Sequence, residues 1–538
     1  MTNLTVPISA CDFPQAAGQL KEAKAAGAEA VELRTDYIEA LNVEQAEKIV
    51  SEAQKTHLPI IVTCRDKKEG GAIDYPIQLR LDVLKNAIAA NVDFVDFEYE
   101  NFRVKKNQDA ILSALSKSKT RLILSKHNFA GKLDNLDKLY KDIKKAFPSA
   151  IPKLVYTVNH TNDCFEAFDL LHTYPPPGGP GRNSKEDSIV LCMGEAGLIS
   201  RIIAKKLGGL ITYASLNEKS ATAAGQITLE QMKKLYRWDK IDADTELYGI
   251  IGSPVAHSLS PLIHNSSFEK MGLNKLYLPL LVDGGSKEFN QFMENILKRD
   301  WLNFKGFSIT IPHKENALKF VKDKGGFVEP LADKIGAANT ILIDESRVTS
   351  DERRLSAYNT DYAGALDAIT TGMGITRTGL KGMPVAVIGA GGVARAIVAG
   401  LRDCEAKIAI YNRTVKRAEA LAKEFDCDFA GLEELKDLNA KLVINCTSIG
   451  MHPKINETPI AKGILQKAQR HKGTEGIVVF DTVYNPVETL LLKQAKEIGA
   501  KTISGLDMFI FQAAEQFKLF TGKDANPDLM RKIISDFL

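Results

Sequence analysis

PVAVIGAGGVARAIVAG, residues 384–400, runs from a short apolar strand through a glycine-rich turn into a segment of helical period. Gly389-Ala390-Gly391-Gly392-Val393-Ala394 is a G-x-G-x-x-A turn. On its own such a turn is a weak signal. A strand before it and a helix after it supply the mechanism: glycines let the backbone approach a pyrophosphate, and the free N–H groups of the helix N-terminus bind it. The stretch from 384 to 402 therefore reads as a Rossmann-type unit. Enzymes using NAD place an acid at the end of the next strand to bind the ribose 2′-hydroxyl; here KIAIYNRTVKRA puts Asn412, Arg413, Lys416 and Arg417 there. Cations at that position favour a 2′-phosphate, and hence NADP(H) as cofactor.

Working outward, the chain has 538 residues, too many for one hydrophobic core and enough for roughly three or four domains. An apolar fraction of 44% and a charged fraction of 25% are those of a globular protein. A net charge of +3 offers no broad basic surface for nucleic acid. No apolar run reaches the ~18 residues of a membrane span, and MTNLTVPISA does not read as a signal peptide. The expectation is a cytosolic protein, with a mature plastid form, stripped of its transit peptide, as the alternative. The cysteines Cys11, Cys64, Cys164, Cys192, Cys404, Cys427 and Cys446 include no C-x-x-C pair, so reduced thiols and no metal are expected.

Residues 1–241 repeat a strand, turn and helix pattern. The strand runs are LTVPIS (4–9), AVELR (30–34), PIIVTC (59–64), DFVDFE (93–98), RLILSKH (121–127), PKLVYTV (152–158), SIVLCM (188–193) and GLITYAS (209–215). Eight of them predict a closed (β/α)8 TIM barrel, with an open sheet as the alternative. YPPPGGPGRNSKED (174–187) reads as a surface loop, TLEQMKKLYRW (228–238) as an amphipathic helix, and DKIDADTE (239–246) as a linker. From Leu247 a second α/β series begins, and a last helix from about Gly505 to Phe520 lies beyond the Rossmann unit. The expected division is 1–241, then 247–360 with 505–538, then 361–504.

Barrel active sites lie at the C-terminal strand ends, and the polar residues there form a coherent set. Glu32 and Arg34 end strand two, Arg65 ends strand three, Glu98 strand four and His127 strand five. Lys153 lies on strand six, Arg201 follows strand seven, and Thr222 and Gln226 follow strand eight. Burial inside an apolar barrel disfavours the ammonium form of Lys153, and moving a lysine from about 10.4 toward about 7 costs the charged form about 4 to 5 kcal/mol. A neutral amine is a nucleophile, so imine formation with a ketone is expected at Lys153. His127 suits proton transfer at the adjacent carbon. Arg34, Arg65 and Arg201 at one mouth imply an anionic, carboxylate-bearing substrate.

In the second half, SPVAHSLSPLIHN places Ser258 and Ser260 in a short turn, and SITIPHKE places Thr310 and Lys314 at a strand end. Hydroxyls suit a polyol. Lys314 with Asp361 of YNTDYAG forms a candidate proton-transfer pair.

The motifs VELRTD, TCRDKKEGG, SKHNF, IPKLVYT, MGEAGLISR and TAAGQ resemble type I 3-dehydroquinate dehydratase across nearly all of residues 1–240. The resemblance implies a Lys153 Schiff base with 3-dehydroquinate, His127 as general base and acid, and Glu69 orienting His127. It implies Glu32, Arg34, Arg65, Arg201, Thr222 and Gln226 as substrate-binding residues. Thr222 and Ala224 stand where the family more usually has Ser and Pro; a hydroxyl survives.

From 247 to 538 the motifs GSPVAHSLSP, TIPHKE, GAANTI, YNTD, GAGGVARA, NRTVKRA, NCTSIGM, VYNPVETLLL and GLDMFIFQAAEQF resemble shikimate dehydrogenase, in family order. The resemblance implies Lys314 and Asp361 as the catalytic pair. Substrate contacts would come from Ser258, Ser260, Thr310, Asn339, Thr360, Tyr484 and Gln512. NADP would contact Gly389, Gly391, Gly392, Val393, Asn412, Arg413, Thr414, Arg417, Thr447, Gly505 and Met508. The stretch DESRVTSDERRLSAYNTD is longer and more charged than the family's usual turn. The first reaction's product, 3-dehydroshikimate, is the second's substrate, so the expectation is a bifunctional shikimate-pathway enzyme, a lyase joined to an oxidoreductase. The competing readings are a quinate-directed dehydrogenase with a vestigial barrel, and a regulatory module that binds without turnover.

Overall fold

The computed structural model describes residues 2–174, 187–220, 222–223, 225–344, 354–471 and 476–537. The interior of the expected 174–187 loop, Ala224, and the middle of the charged stretch before YNTD lie outside the described residues. The chain divides into two compact units, Met1–Pro261 with Phe268–Phe304, and Leu262–Ser267 with Lys305–Leu538.

In the first unit the eight β-branched runs form strands β1 (Asn3–Ile8), β2 (Ala30–Arg34), β3 (Ile60–Thr63), β4 (Phe94–Glu98), β5 (Arg121–Asn128), β6 (Ile151–Thr157), β7 (Ile189–Met193) and β8 (Ile211–Tyr213). They pair in parallel in the order β7-β6-β5-β4-β3-β2-β1-β8. A hydrogen bond from Leu210 N–H to the Ser188 carbonyl, 2.8 Å, ties the base of β8 to that of β7. This is a nearly closed parallel barrel, as expected. Side chains alternate along each strand, so Phe94, Ile123, Ile151, Ile189 and Ile211 pack into an apolar floor. The polar residues of the following positions stand above it. Helices cover the outside; Phe13–Ala25 and Val43–Gln54 start on the side-chain caps of Asp12 and Asn42.

After β8 the amphipathic helix expected over 228–238 is reduced to a π-helical turn, Gln231–Leu235. Arg237 takes a left-handed backbone, φ 56°, which stops the turn. Met232, Tyr236 and Trp238 are all buried, and the Trp238 indole donates to Glu29 at 3.0 Å. Packing of three large side chains against the barrel overrides the helical period. The same compact unit then holds the parallel pair β9 (Glu246–Gly252) and β10 (Lys275–Leu281) and the helix Ser286–Leu297.

The second unit contains β11 (Phe304–Ile309), β12 (Phe327–Val328), β13 (Thr340–Asp344) and β14 (Arg354–Tyr358), ordered β11-β13-β14-β12 with antiparallel pairing on both sides of β13. Then come β15 (Pro384–Ile388), β16 (Lys407–Tyr411), β17 (Asp428–Ala430), β18 (Leu442–Asn445), β19 (Val478–Asp481) and β20 (Lys501–Ile503). They are all parallel, in the order β17-β16-β15-β18-β19-β20. Numbered from its first strand this is 3-2-1-4-5-6, the Rossmann order, which places a ligand crevice at the ends of β15 and β18. Near-continuous apolar runs such as VAVI and LVIN follow from burial of such a sheet on both faces. The helix Gly505–Thr521 packs against Thr360–Met373; it is not the last one as expected, because a further helix, Pro527–Phe537, follows it.

Candidate active sites

One cavity at the C-terminal end of the barrel is lined by Glu32, Arg34, Arg65, Glu69, His127, Lys153, Arg201, Thr222 and Gln226, together with Gly70, Phe129 and Tyr213. Lys153 is buried, and its Nζ donates to Asp96 at 2.8 Å, Tyr213 Oη at 2.9 Å and Glu32 at 3.2 Å. Burial pulls its pKa down, but the Asp96 and Glu32 carboxylates outweigh burial and raise it above the ordinary lysine value. The expected neutral amine is therefore corrected: at rest Lys153 is an ammonium ion, because two carboxylates face it inside the barrel. His127 is the group found neutral. Burial and the Arg65 and Lys153 cations hold its pKa well below the usual range. Its Nδ1 lies 3.2 Å from Glu69 Oε2, and its backbone N–H donates to the same oxygen at 2.9 Å. Burial pushes Glu69 up to about 6 despite Arg65 and Lys126.

The three arginines differ. Arg34 is bidentate on Asp36 at 2.9 and 2.8 Å. Arg65 donates to Asp96 at 2.7 Å, Glu98 at 3.0 Å and Ser125 at 2.6 Å. Arg201, on the helix Leu198–Ile202, is 2% exposed, its Nε has no hydrogen-bond partner among the described residues, and burial pulls its pKa down to about 10. A buried guanidinium without a carboxylate costs several kcal/mol and is the natural seat for an anionic ligand. Thr222 N–H donates to Gln226 Oε1 at 2.8 Å, which fixes both side chains on the loop after β8.

In the second unit Lys314, first residue of the helix Lys314–Asp323, lies 2.6 Å from Asp361 Oδ2. Asp361 is the second residue of the helix Thr360–Met373, capped by Asn359. Asn339 Nδ2 donates to Asp361 Oδ1 at 2.9 Å and to Thr360 Oγ1 at 3.0 Å, and Thr360 Oγ1 donates to Gln512 at 3.4 Å. Lys314 and Asp361 are 47 positions apart, a separation bridged by the β12–β14 pairing. At the crevice of the parallel sheet, Gly389 has φ +113° and Gly391 caps the helix Gly392–Asp403. A Cβ built at Gly391 or Gly392 meets nothing within 4 Å, so the amides of that helix start face open space. Arg413 and Arg417 are exposed just past β16. These residues fit a phosphate-bearing dinucleotide. Thr447 follows β18; Gly505 and Met508 open the helix after β20. Tyr484 stacks on Phe509 at 5.2 Å.

Comparison with known proteins agrees with this geometry. Residues 4–243 match the type I 3-dehydroquinase family, 250–341 the shikimate dehydrogenase substrate binding domain, 374–486 the shikimate / quinate 5-dehydrogenase family and 505–534 the shikimate 5′-dehydrogenase C-terminal domain. The bifunctional 3-dehydroquinate dehydratase/shikimate dehydrogenase, chloroplastic, of Arabidopsis thaliana is 34% identical over 549 residues, covering 99% of this chain and 84% of the relative. The chain belongs to the bifunctional 3-dehydroquinate dehydratase/shikimate dehydrogenase family. The shikimate dehydrogenase (NADP(+)) of Caldanaerobacter subterraneus subsp. tengcongensis is 38% identical over 300 residues, 54% of this chain and 97% of the relative. A shikimate 5-dehydrogenase from Thermus thermophilus, solved with NADP(H) and shikimate, is 33% identical, with a TM-score of 0.46, over 55% of this chain and all of that one.

In this bifunctional enzyme Glu32, Arg34, Arg65, Glu69, His127, Lys153, Arg201, Thr222 and Gln226, all expected from sequence, line the same barrel cavity. Glu98, expected at the mouth, instead turns away to pair with Arg65 and Arg80. Among the dehydrogenase residues of the second unit, Lys314, Asn339, Thr360, Asp361 and Gln512 form one hydrogen-bonded set. Ser260 N–H donates to Ser258 Oγ at 3.2 Å, and Thr310 closes a turn onto His313. Sequence reasoning missed Asp96, Ser125 and Tyr213. The signal for Asp96 was present: a carboxylate inside the apolar run FVDFE, two residues before Glu98 and so on the same strand face. It also missed Gln516, which is buried, accepts from Ser308 at 2.8 Å and donates to Thr340 at 3.0 Å.

Proposed function

We propose that residues 1–241 dehydrate 3-dehydroquinate to 3-dehydroshikimate and that the rest of the chain, 247–360 with 505–538 as substrate domain and 361–504 as NADP domain, reduces that product to shikimate with NADPH. The observation that carries the first step is one cavity holding an activatable lysine, a neutral histidine oriented by a carboxylate, and a buried arginine whose Nε has no partner among the described residues. Arg201 takes the substrate carboxylate, while Arg34, Arg65, Glu32, Thr222 and Gln226 position the hydroxyls and carbonyl. Lys153 gives up one proton, attacks the ketone carbon, and water leaves to form the imine. Neutral His127, held by Glu69, removes the proton from the adjacent carbon and returns it to the departing hydroxyl. Hydrolysis frees Lys153.

For the second step, bound NADPH supplies the hydride. The turn at Gly389, Gly391, Gly392 and Val393 holds its pyrophosphate, and Asn412, Arg413, Thr414 and Arg417 its 2′-phosphate. Thr447, Gly505 and Met508 complete its seat. Ser258, Ser260, Thr310, Asn339, Thr360, Tyr484 and Gln512 bind the substrate hydroxyls and carboxylate. Lys314 protonates the carbonyl oxygen as it is reduced, and Asp361, 2.6 Å from its Nζ, aims it. A quinate-directed enzyme with a vestigial barrel is not favoured, because Lys153, His127 and Glu69 share an intact cavity. No helix among the described residues is long and apolar enough to cross a membrane. We place the enzyme in the cytosol, with the plastid as the alternative that the chloroplastic relative supports.

The deciding experiment is Lys153→Ala. Dehydration is abolished while NADPH-dependent reduction of 3-dehydroshikimate stays near wild type. Loss of both activities in a folded protein, or a borohydride-trapped adduct on another residue, would overturn the two-site reading.

A further inference from the structure

The mechanism above leaves Asp96 without a part, although it is the most enclosed charge at the site. It is fully buried on β4. Its Oδ2 accepts from Lys153 Nζ at 2.8 Å and from Arg65 Nη2 at 2.7 Å, and its Oδ1 accepts from Ser125 Oγ at 2.6 Å. Burial favours its protonated form, but the Arg65 and Lys153 cations outweigh burial and hold it well below the carboxylate range. Lys153 is faced by Glu32 from β2, Arg65 after β3, Asp96 from β4, His127 from β5 and Tyr213 from β8. Arg201 lines the same cavity. Two carboxylates thus reach Nζ, and they differ in one respect. Glu32 lines the cavity and is open to substrate; Asp96 lies behind Lys153, outside the lining, with both oxygens engaged.

Imine formation conserves charge: an ammonium ion and a ketone become a protonated imine and one water. A carboxylate that stays ionised behind the nitrogen therefore matches the site before and after condensation without rearranging.

Building on the imine reading above, we propose that Asp96 is the permanent counter-ion of the Lys153 imine, a positioning residue that keeps the imine nitrogen protonated throughout turnover. Protonation makes the imine an electron sink and acidifies the carbon–hydrogen bond that His127 attacks; a neutral imine would not. Glu32, which also accepts from Thr63 Oγ1 at 2.8 Å, is then the carboxylate free to take the proton Lys153 first releases.

The test uses the full chain labelled with 15N-lysine, loaded with 3-dehydroquinate and followed by NMR from neutral pH to the ordinary lysine range, about pH 10. In the wild-type enzyme the imine nitrogen stays protonated throughout. In Asp96→Asn the proton is lost about 1 to 3 pH units lower, dehydration falls about 10- to 1000-fold above that point, and reduction is unchanged. Asp96→Glu restores the wild-type pH profile. An imine on Lys153 that is neutral near pH 7 in the wild type overturns the counter-ion role, whether or not the variants fold. A folded Asp96→Asn with wild-type profile and rate does so equally. Absence of any Lys153 adduct in the wild type overturns the imine mechanism itself, and the counter-ion role with it.

Discussion

At the scale of the residue, the barrel site works by giving similar side chains opposite surroundings. Arg34 and Arg65 reach the cavity already locked to carboxylates, whereas Arg201 is buried at comparable depth with its Nε unpaired among the described residues. Replacing Arg201 with Leu should therefore separate binding from stability. Dehydratase kcat/KM falls by the worth of a buried charge pair with substrate, about 2 to 5 kcal/mol, while thermal stability holds or rises because a desolvated lone cation is gone. A fall in melting temperature with unchanged kcat/KM would assign Arg201 to the fold. The pH dependence follows from the neighbouring pair. Glu69 must be ionised to orient His127, and burial places its pKa at about 6, so dehydration is lost as pH falls below about 6. His127 stays neutral across that window because its own pKa is held well below 6.5. Glu69→Gln removes this acidic limb at a lower plateau; a limb unmoved in that variant would point to another group. In the second half, Arg413→Ala lowers kcat/KM with NADPH by about 1 to 3 kcal/mol and leaves NADH little changed, since only the former carries the 2′-phosphate. Steady-state rates with both cofactors check this.

At the scale of the element, helix starts carry the second site. Lys314 and Asp361 each lie in the first turn of a helix, and the capping bond from Asp361 N–H to Asn359 Oδ1, 3.1 Å, sets the direction of the second. The helix Thr360–Met373 lies so close to Gly505–Thr521 that a Cβ on Gly364 would sit 2.6 Å from the Gln512 backbone nitrogen. Gly364→Ala must push the two helices apart. It costs about 1 to 3 kcal/mol of stability, and it loosens the Thr360–Gln512 contact, so reduction suffers while dehydration does not. Equal loss of both rates would show that the close approach serves only folding. Gly391 gives the contrasting result. It has an ordinary negative φ and open space above it, so Gly391→Val folds normally yet obstructs the pyrophosphate, and KM for NADPH rises with the melting temperature unchanged.

At the scale of the molecule, the first compact unit is larger than the barrel. It includes β9, β10 and the helix Ser286–Leu297, held to the barrel's outer surface by Arg299 bidentate on Asp169 at 2.7 Å, by Thr161 donating to the Leu281 carbonyl at 2.7 Å, and by Phe165 against Phe292 at 5.9 Å. A chain ended at residue 241 loses all of these. Dehydratase activity of that fragment should fail at a lower temperature than in the full chain, by about 2 to 4 °C for each kcal/mol forfeited. Matching inactivation temperatures would mean that the docking adds no stability.

The sequence by itself determined what depends on local order along the chain. Strand period, glycine turns, the missing acid after β16 and the run of motifs were enough for the barrel, the Rossmann unit, both reactions and the cavity-lining residues around Lys153 other than Tyr213, while Asp96 behind it was missed. Those features are written in consecutive residues, where alternation and spacing fix which face a side chain takes. Only the tertiary structure decided the charge states. Lys153 is an ammonium ion rather than an amine because Asp96, 57 positions away, and Glu32, 121 positions away, are brought within hydrogen-bond reach by barrel closure. The same closure buried Arg201 with its Nε unpaired and turned Glu98 away from the mouth. Electrostatic energy depends on distance through space and on exclusion of water, and neither can be read from separation along the chain.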